Sequence, residues 1–325
     1  MTEYSGKRLD GIDAGKGIAI MMVVYHHIVS GGPYLITNEP FYFIYTIIRL
    51  VDVSFFYLLA GMTFSVSCRR IKGSNYPELF KFIGAKVQRL LPAYFTLVFI
   101  LTGLVFIFGY LLNKESTGVT EILNYILYPK KAQVWYLYFV HLLILYYIVF
   151  ALLLNLIKNR ILVICLSLGV FFMPDTEFLN LNTFRYNYIF FLLGVLAIEY
   201  YQIFIKYLNN YYFIIVTCAI SSIAIYCNSP FIISVSGVLA LCYLAFFTKL
   251  NRLQFLRAVG ECSFSIYLFN LFFIVAIKLL AVEVLHFDIN SIAVFSPAMF
   301  LCGLLGPFIF KKYVFSKNKS LDKYF

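Results

Sequence analysis

Apolar stretches long enough to enter a lipid bilayer follow one another along almost the whole chain. A membrane-spanning helix needs about 20 mostly apolar residues. Ten stretches approach this length, at residues 12–30, 41–66, 90–112, 134–156, 161–173, 186–201, 211–227, 231–248, 262–282 and 291–315. The fifth stretch is short, and the boundary between the seventh and eighth stretches, within residues 211–248, can be placed differently. The pattern predicts an all-α integral membrane protein, a bundle of about ten transmembrane helices.

The basic residues orient these predicted helices. With the N-terminus in the cytoplasm, 20 of the 26 Lys and Arg residues fall in cytoplasmic segments or at the cytoplasmic ends of apolar stretches, and two, Arg49 and Lys278, fall further inside the stretches. The other four lie outside: Lys114, Lys130, Lys131 and Arg185. Cytoplasmic loops of membrane proteins carry an excess of basic residues. We therefore expect a multi-pass protein of the cell (inner, cytoplasmic) membrane with both termini cytoplasmic.

Composition supports the same class of protein. Hydrophobic residues make up 62% of the 325 residues and charged residues only 13%, whereas soluble domains carry about 25% charged residues. The net charge of +11 is accounted for by the cytoplasmic loops, so the lipid bilayer is the expected partner and nucleic acid is not. Residues 1–325 are interpreted as one membrane-embedded domain without an appended soluble domain.

Two other interpretations of the sequence are weaker. Basic residues before the first apolar stretch resemble a cleaved signal peptide, but Asp10, Asp13 and two histidines do not suit one. The seven cysteines are scattered and show no metal-ligand spacing. They are interpreted as buried apolar side chains rather than disulfides or metal ligands, and no metal is expected.

The first stretch, "DAGKGIAIMMVVYHH" (residues 13–27), carries the most informative polar residues. Lys16 and His27 are 11 residues apart, which on an α-helix is about 1100° of rotation and about 16 Å of rise. Their side chains therefore share one face, whereas His26 lies roughly 80° away from Lys16. Asp13 precedes Lys16 by three residues and is a predicted ion-pair neighbour.

Ionisable residues inside a membrane are costly and are functional candidates by default. Histidine exchanges a proton near neutral pH, as a general base must, and lysine binds anions such as phosphates. The alternative is that the histidines are satisfied interior residues or lie near the outer interface. We assign His27 to the functional interpretation and His26 to the structural one.

The spacing of Lys16 and His27 resembles acyltransferase family 3, integral-membrane acyltransferases that modify bacterial surface glycans. The family signature is an Arg or Lys, ten intervening residues and a His. The resemblance implies that His27 serves acyl transfer, as base or as acyl carrier, and that Lys16 contacts the donor.

"FFYLLAGMTF" (residues 55–64) resembles the family's second-helix Phe-Phe-x-x-Ser-Gly segment, with Ala60 in place of Ser. Gly61 permits a close approach between helices. Asp52 lies three residues after Arg49, so the two are expected to neutralise each other. Asp52 is a supporting-site candidate.

"KVQRLLPAYF" (residues 86–95) resembles the family's Arg-x-x-Arg-x-x-Pro segment. Lys86 and Arg89 lie one turn apart, with Pro92 expected in the first turn of a span. Two adjacent bases suit the phosphates of a coenzyme A donor, although plain anchoring on the cytoplasmic side explains most such residues.

Two later segments complete the resemblance. "VWYLYFVH" (residues 134–141) resembles a Trp-Tyr/Phe-Leu element; Trp135 suits the outer interface or stacking on a sugar, and His141 is a weaker candidate base. "GECSFSIYLFN" (residues 260–270) resembles a late Ser-Tyr-x-x-Tyr-Leu-x-His element, with Asn270 in place of the His. Asparagine is no base but forms hydrogen bonds.

The resemblance implies a membrane O-acyltransferase, most simply an O-acetyltransferase. Acetyl-coenzyme A would be the donor and a hydroxyl of a surface polysaccharide or lipid-linked sugar the acceptor. The alternative is a polytopic transporter or flippase for a glycan or lipid, although no repeat between the halves is visible. A further alternative is another membrane acyltransferase family that modifies lipids or proteins.

Overall fold

The computed structural model describes residues 10–31, 35–68, 76–111, 127–128, 135–157, 159–288, 294–318 and 322. Within these residues the secondary structure is helical and contains no β-strand, which confirms the predicted all-α class. Helices suit this chain because the backbone polar groups of a helix are satisfied within one segment, as the interior of a membrane requires.

Twelve α-helices lie in the described ranges. Their bounds are α1 Asp10–Ser30, α2 Phe41–Cys68, α3 Tyr76–Leu111, α4 Tyr138–Leu156, α5 Arg160–Val170, α6 Leu181–Glu199, α7 Tyr201–Leu208, α8 Tyr211–Tyr226, α9 Pro230–Phe247, α10 Gln254–Glu261, α11 Ser263–Leu279 and α12 Ser296–Tyr313. Short 3₁₀ turns lie at Trp135–Leu137, Phe178–Asn180, Lys249–Arg252 and Phe315–Lys317, and a π-helical turn, Leu280–Val284, extends α11.

Each of the ten predicted stretches contains a helix, but two of these helices are too short to count as spans by themselves. Among the described residues, eight helices are long and apolar enough to cross a membrane. The fifth stretch forms α5, of 11 residues, and the seventh forms α8, of 16 residues. Helices α7 and α8 meet at a bend of 74°, and counting them as one broken span gives nine.

The start of the third span differs from the prediction. Helix α3 begins at Tyr76, and its candidate span is Phe80–Ile100. Pro92 therefore lies inside the helix and not in its first turn. A proline in a helix interior removes one backbone hydrogen bond, a loss that transmembrane helices tolerate when neighbouring groups compensate.

The chain divides into two compact units, with the boundary inside α2 between Leu59 and Ala60. The first unit contains the described residues up to Leu59 and those from Tyr200 onward. At its centre α1 packs against α9, α10, α11 and α12, and α11 also packs along α12. The second unit, Ala60–Glu199, contains α3 packed against α4, together with α5 and α6.

Large apolar side chains cover much of the outer surface of these helices. Phe99, Ile161, Phe172 and Tyr226 are each more than 60% exposed. An apolar surface of this extent fits lipid contact and not water contact.

The expectation that the cysteines are buried is wrong for several of them: Cys165, Cys218, Cys227 and Cys302 are exposed. Cys165, Cys218 and Cys302 lie on outward faces of their helices, and Cys227 lies in the turn that follows α8.

Gly61 permits α2 and α6 to approach closely, as predicted. A Cβ atom at this position would lie 2.2 Å from the carbonyl oxygen of Phe191. We expect Gly61→Ala to lower the free energy of unfolding by about 1–3 kcal/mol, because two backbones must separate. Gly169→Ala is the matched control, since a Cβ there meets nothing within 4 Å. Thermal denaturation in detergent micelles compares the two, and equal melting temperatures would contradict the close approach.

Candidate active site

Helix α1 places two adjacent histidines close to its C-terminal end. His26 and His27 precede the last residue of the helix, Ser30, by four and three positions. Consecutive side chains on a helix point about 100° apart, so the two rings face different neighbouring helices. The rings still touch edge to face, with centroids 5.7 Å apart. His27 is buried, with 4% of its surface exposed.

Asn270 of α11 fixes the orientation of His27. The Nδ1 atom of His27 lies 2.6 Å from the side-chain oxygen of Asn270. The amide nitrogen of Asn270 donates to the carbonyl oxygens of Ile266 and Tyr267, at 2.8 Å and 3.1 Å. The amide oxygen must therefore be the atom that faces His27, and it can only accept a hydrogen bond. Nδ1 of His27 thus carries the proton, and Nε2 is the basic nitrogen of the ring.

His26 has a partner of different chemistry, the carboxylate of Asp52 in α2. Nδ1 of His26 and Oδ2 of Asp52 are 2.8 Å apart, and Asp52 is fully buried. The other carboxylate oxygen accepts a hydrogen bond from the backbone N–H of Val53 at 2.6 Å. The ring of Tyr45 packs edge to face on His26, with centroids 5.2 Å apart. Sequence reasoning gave His26 no partner, whereas the structure gives it a buried acid.

The expected neutralisation of Asp52 by Arg49 is wrong. Asp52 points toward α1 and pairs with His26. Arg49 is exposed, and its guanidinium carbon lies 5.7 Å from the centroid of the Tyr45 ring. The three-residue spacing permits an ion pair on an isolated helix, but the packing of α1 against Asp52 provides a nearer partner.

Lys278 of α11 is a site residue to which the sequence analysis assigned no role. Its side chain is fully buried, and Nζ donates to the carbonyl oxygen of Gly31 at 2.7 Å. Gly31 directly follows α1, where the helix dipole is negative, so a cation there is favourable. A lysine within an apolar stretch is itself a signal of function, and this signal was available in residues 262–282.

The N-terminal part of α1 carries Lys16 and Asp13. Their charged groups are 4.0 Å apart, which confirms the predicted ion pair, and the Lys16 side chain is 24% exposed. Helix α10 packs closely on this segment, since a Cβ on Gly17 would lie 2.2 Å from the carbonyl oxygen of Leu256. Likewise, a Cβ on Gly260 would lie 1.8 Å from the carbonyl oxygen of Asp13. This contact holds the lysine-bearing turn in place.

Lys86 and Arg89 belong to the second unit and lie within the candidate span of α3. Nζ of Lys86 donates to the hydroxyl of Ser67 at 3.2 Å, and it lies 5.5 Å and 5.8 Å from the ring centroids of Phe82 and Tyr147. Arg89 is exposed. Arg89 is therefore the more accessible of the two for an anionic ligand.

The remaining sequence candidates also lie in the second unit. The backbone of Trp135 begins a 3₁₀ turn before α4, and its side chain lies outside the described residues. His141 is in the first turn of α4; its Nε2 atom is buried and has no hydrogen-bond partner in the structure described. Among the described residues, no group of three His, Cys, Asp or Glu side chains can hold a metal ion.

These features define a polytopic helical membrane protein with a buried histidine whose orientation and tautomer are fixed by a neighbouring helix. The sequence was compared with known families, curated proteins and solved structures. It matches the profile of the acyltransferase domain of acyltransferase family 3 over residues 9–312. The chain therefore belongs to this family and is a membrane acyltransferase. The searches of curated proteins and of solved structures found no significant match.

Proposed function

We propose that the protein is an O-acyltransferase that moves an acetyl group from cytoplasmic acetyl-coenzyme A to a hydroxyl of a cell-surface or lipid-linked glycan. The observation that carries the proposal is the pairing of buried His27 with Asn270, which places the ring proton on Nδ1 and makes Nε2 the basic nitrogen of the ring. Such an atom is suited to general-base or nucleophilic catalysis. Membership of an acyltransferase family favours this reaction over transport.

The donor side of the proposed reaction lies at the N-terminal end of α1. Lys16 would contact the phosphates of coenzyme A. The rise along α1 from Lys16 to His27 is about 16 Å, comparable to an extended pantetheine arm. The phosphates and the thioester of one donor molecule can therefore be held by the same helix.

The proposed topology has ten crossings and both termini in the cytoplasm. The distribution of basic residues favours it, because cytoplasmic loops carry the excess of Lys and Arg. Helix α5 and the α7–α8 pair must then both cross the membrane. If only one of them crossed, the basic segment 249–261 would move to the outside. In this topology the histidines lie near the outer end of α1, on the side from which a surface glycan arrives.

The function is tested by measuring O-acetyl groups released by mild base from surface polysaccharide. We expect the groups to be absent from a deletion strain and restored by the wild-type gene. The matched control is complementation with His286→Ala, which removes an exposed histidine and is expected to restore the groups fully. Equal O-acetyl content in the deletion and complemented strains would contradict the proposal and favour transport.

Lys16→Ala is expected to raise the KM for acetyl-coenzyme A about tenfold, because one charge-assisted contact of about 1.5–3 kcal/mol is lost. Lys16→Arg keeps the charge and should recover most of the affinity. Steady-state kinetics with purified protein in detergent measure the change. Lys317→Ala is the control, since it removes an exposed lysine from the C-terminal segment, which the proposed topology assigns to the same side of the membrane. An unchanged KM for Lys16→Ala removes Lys16 from the donor site.

A further inference from the structure

Helices α10 and α11 follow each other along α1 and contact its two ends. Helix α10 packs on the first turns of α1, since a Cβ atom on Gly260 would lie 1.8 Å from the carbonyl oxygen of Asp13. Helix α11 begins two residues after α10 ends, and Asn270 of α11 contacts His27. A ligand that extends along α1 from its N-terminal end toward His27 therefore has α10 and α11 beside it.

Arg257 is the basic residue of α10, and it reaches across to α1. Its Nη1 atom lies 3.0 Å from a carboxylate oxygen of Asp10, and its side chain is 31% exposed. A guanidinium has five N–H donors, of which a carboxylate pairs with two in a bidentate contact. Arg257 can therefore bind a second anion while Asp10 fixes the position of its guanidinium.

The cations of Arg257 and Lys16 lie along the same side of α1. Asp10 contacts Arg257, and Asp13 lies 4.0 Å from the charged group of Lys16. Residues three apart on a helix are neighbours on its surface, so the two cations are about one helical turn apart. Coenzyme A carries a diphosphate and a separate 3′-phosphate, which require more than one cation. The two residues together meet this requirement.

We propose that Arg257 binds the 3′-phosphate of coenzyme A and that Lys16 binds its diphosphate. This inference rests on the proposed function, in which acetyl-coenzyme A is the donor. Along the donor, the thioester ends the pantetheine arm, the diphosphate begins the arm, and the phosphorylated ribose lies beyond the diphosphate. His27, Lys16 and Asp10 follow one another in the same order toward the N-terminal end of α1. Asp10 is the partner of Arg257.

The rise of α1 gives the spacing that this order requires. It is about 16 Å from His27 to Lys16 and about 9 Å from Lys16 to Asp10. The first distance is comparable to an extended pantetheine arm, and the second to the span from the diphosphate across the ribose to the 3′-phosphate. Arginine suits the terminal 3′-phosphate because its planar fork binds phosphate oxygens bidentately, whereas lysine acts as a compact point charge.

The ion pair between Arg257 and Asp10 is too exposed to be important for folding. The two side chains are 31% and 61% exposed, and ion pairs of this kind contribute little to stability. Solvent and salt also screen the repulsion between Asp10 and a bound phosphate. Replacing Arg257 is therefore expected to weaken donor binding and to leave the fold intact.

Binding of coenzyme A and of 3′-dephospho-coenzyme A to purified protein in detergent tests the assignment by isothermal titration calorimetry. We expect wild type to bind coenzyme A about tenfold more tightly, because the dephospho compound lacks one charge-assisted contact. Arg257→Gln should lose about tenfold in affinity for coenzyme A and bind the two compounds equally within about twofold. Lys16→Ala should weaken both about tenfold and keep the wild-type preference.

Arg252→Gln is the matched control for general attraction of an anionic donor. Arg252 is exposed and precedes Arg257 by five residues, so the substitution removes the same charge from the same segment. Its affinity for coenzyme A should equal that of wild type within about twofold, as for surface substitutions generally. An equal loss of affinity in Arg252→Gln and Arg257→Gln overturns the assignment of the 3′-phosphate to Arg257.

The preference between the two compounds decides the other outcomes. Wild type without a preference, or Arg257→Gln that keeps the wild-type preference, overturns the inference. Folded Arg257→Gln that binds neither compound also overturns it, because Lys16 should still hold both through the diphosphate. Transfer of labelled acetyl groups to polysaccharide is measured on the same preparations. Wild type that binds with the expected preference but transfers nothing supports the phosphate site and contradicts the proposed transfer.

Discussion

His27→Gln is expected to lower acyl transfer by at least about 1,000-fold, the range for loss of a residue that forms the reacting bond or moves its proton. Glutamine matches the length of histidine, and its side-chain amide can donate to Asn270 in place of the ring. Folding should therefore survive, while the lone pair at Nε2 is lost. The measurement is transfer of labelled acetyl groups to polysaccharide by purified protein, normalised to folded protein from size-exclusion chromatography.

The matched control for this loss is His286→Ala. His286 follows the π-helical turn at the end of α11 and is exposed, so its removal tests whether any histidine loss slows the enzyme. We expect its transfer rate to equal that of wild type within about twofold, as for surface substitutions generally. Residual transfer above one-tenth of wild type in His27→Gln would remove His27 from the chemistry.

The fold could be predicted to the extent that local composition determines it. Apolar stretches revealed every candidate span, because a helix inside a lipid bilayer needs only a run of apolar residues. The ends of α3 and the status of α5 and α8 could not be predicted in this way. Helix α3 extends toward Tyr76 through polar residues, and helices of 11 and 16 residues have apolar composition but lack the length of a span.

The candidate site could be predicted along α1 but not across helices. The helical period relates Lys16 to Asp13 and to His27, since all three lie on one segment. Asn270 is 243 residues from His27 and Asp52 is 26 residues from His26, so both pairings depend on tertiary packing. The predicted ion pair between Arg49 and Asp52 was wrong for the same reason. Their three-residue spacing permits the pair, but Asp52 contacts His26 of another helix instead. Lys278 was visible as a charge in an apolar stretch, but its contact with Gly31 was not.

Asn270→Leu is expected to lower transfer about 1,000-fold, because a histidine that loses the partner fixing its tautomer loses most of its catalytic effect. Leucine has the branched shape of asparagine but accepts no hydrogen bond, so the Nδ1–H group of His27 loses this acceptor in a buried site. The free energy of unfolding should fall by about 1–3 kcal/mol for the same reason. The KM for acetyl-coenzyme A should not change, because Asn270 and the proposed phosphate ligand Lys16 lie on different helices.

Asn270→Asp separates orientation from packing. Aspartate keeps an acceptor for His27 but loses the amide donations to the carbonyls of Ile266 and Tyr267. We expect it to be as destabilised as the leucine variant and yet to transfer acyl groups at least tenfold faster, since the tautomer of His27 is retained. Rates and melting temperatures measured on the same preparations compare the two variants. If both lose activity in proportion to stability, Asn270 serves packing alone and does not set the tautomer of His27.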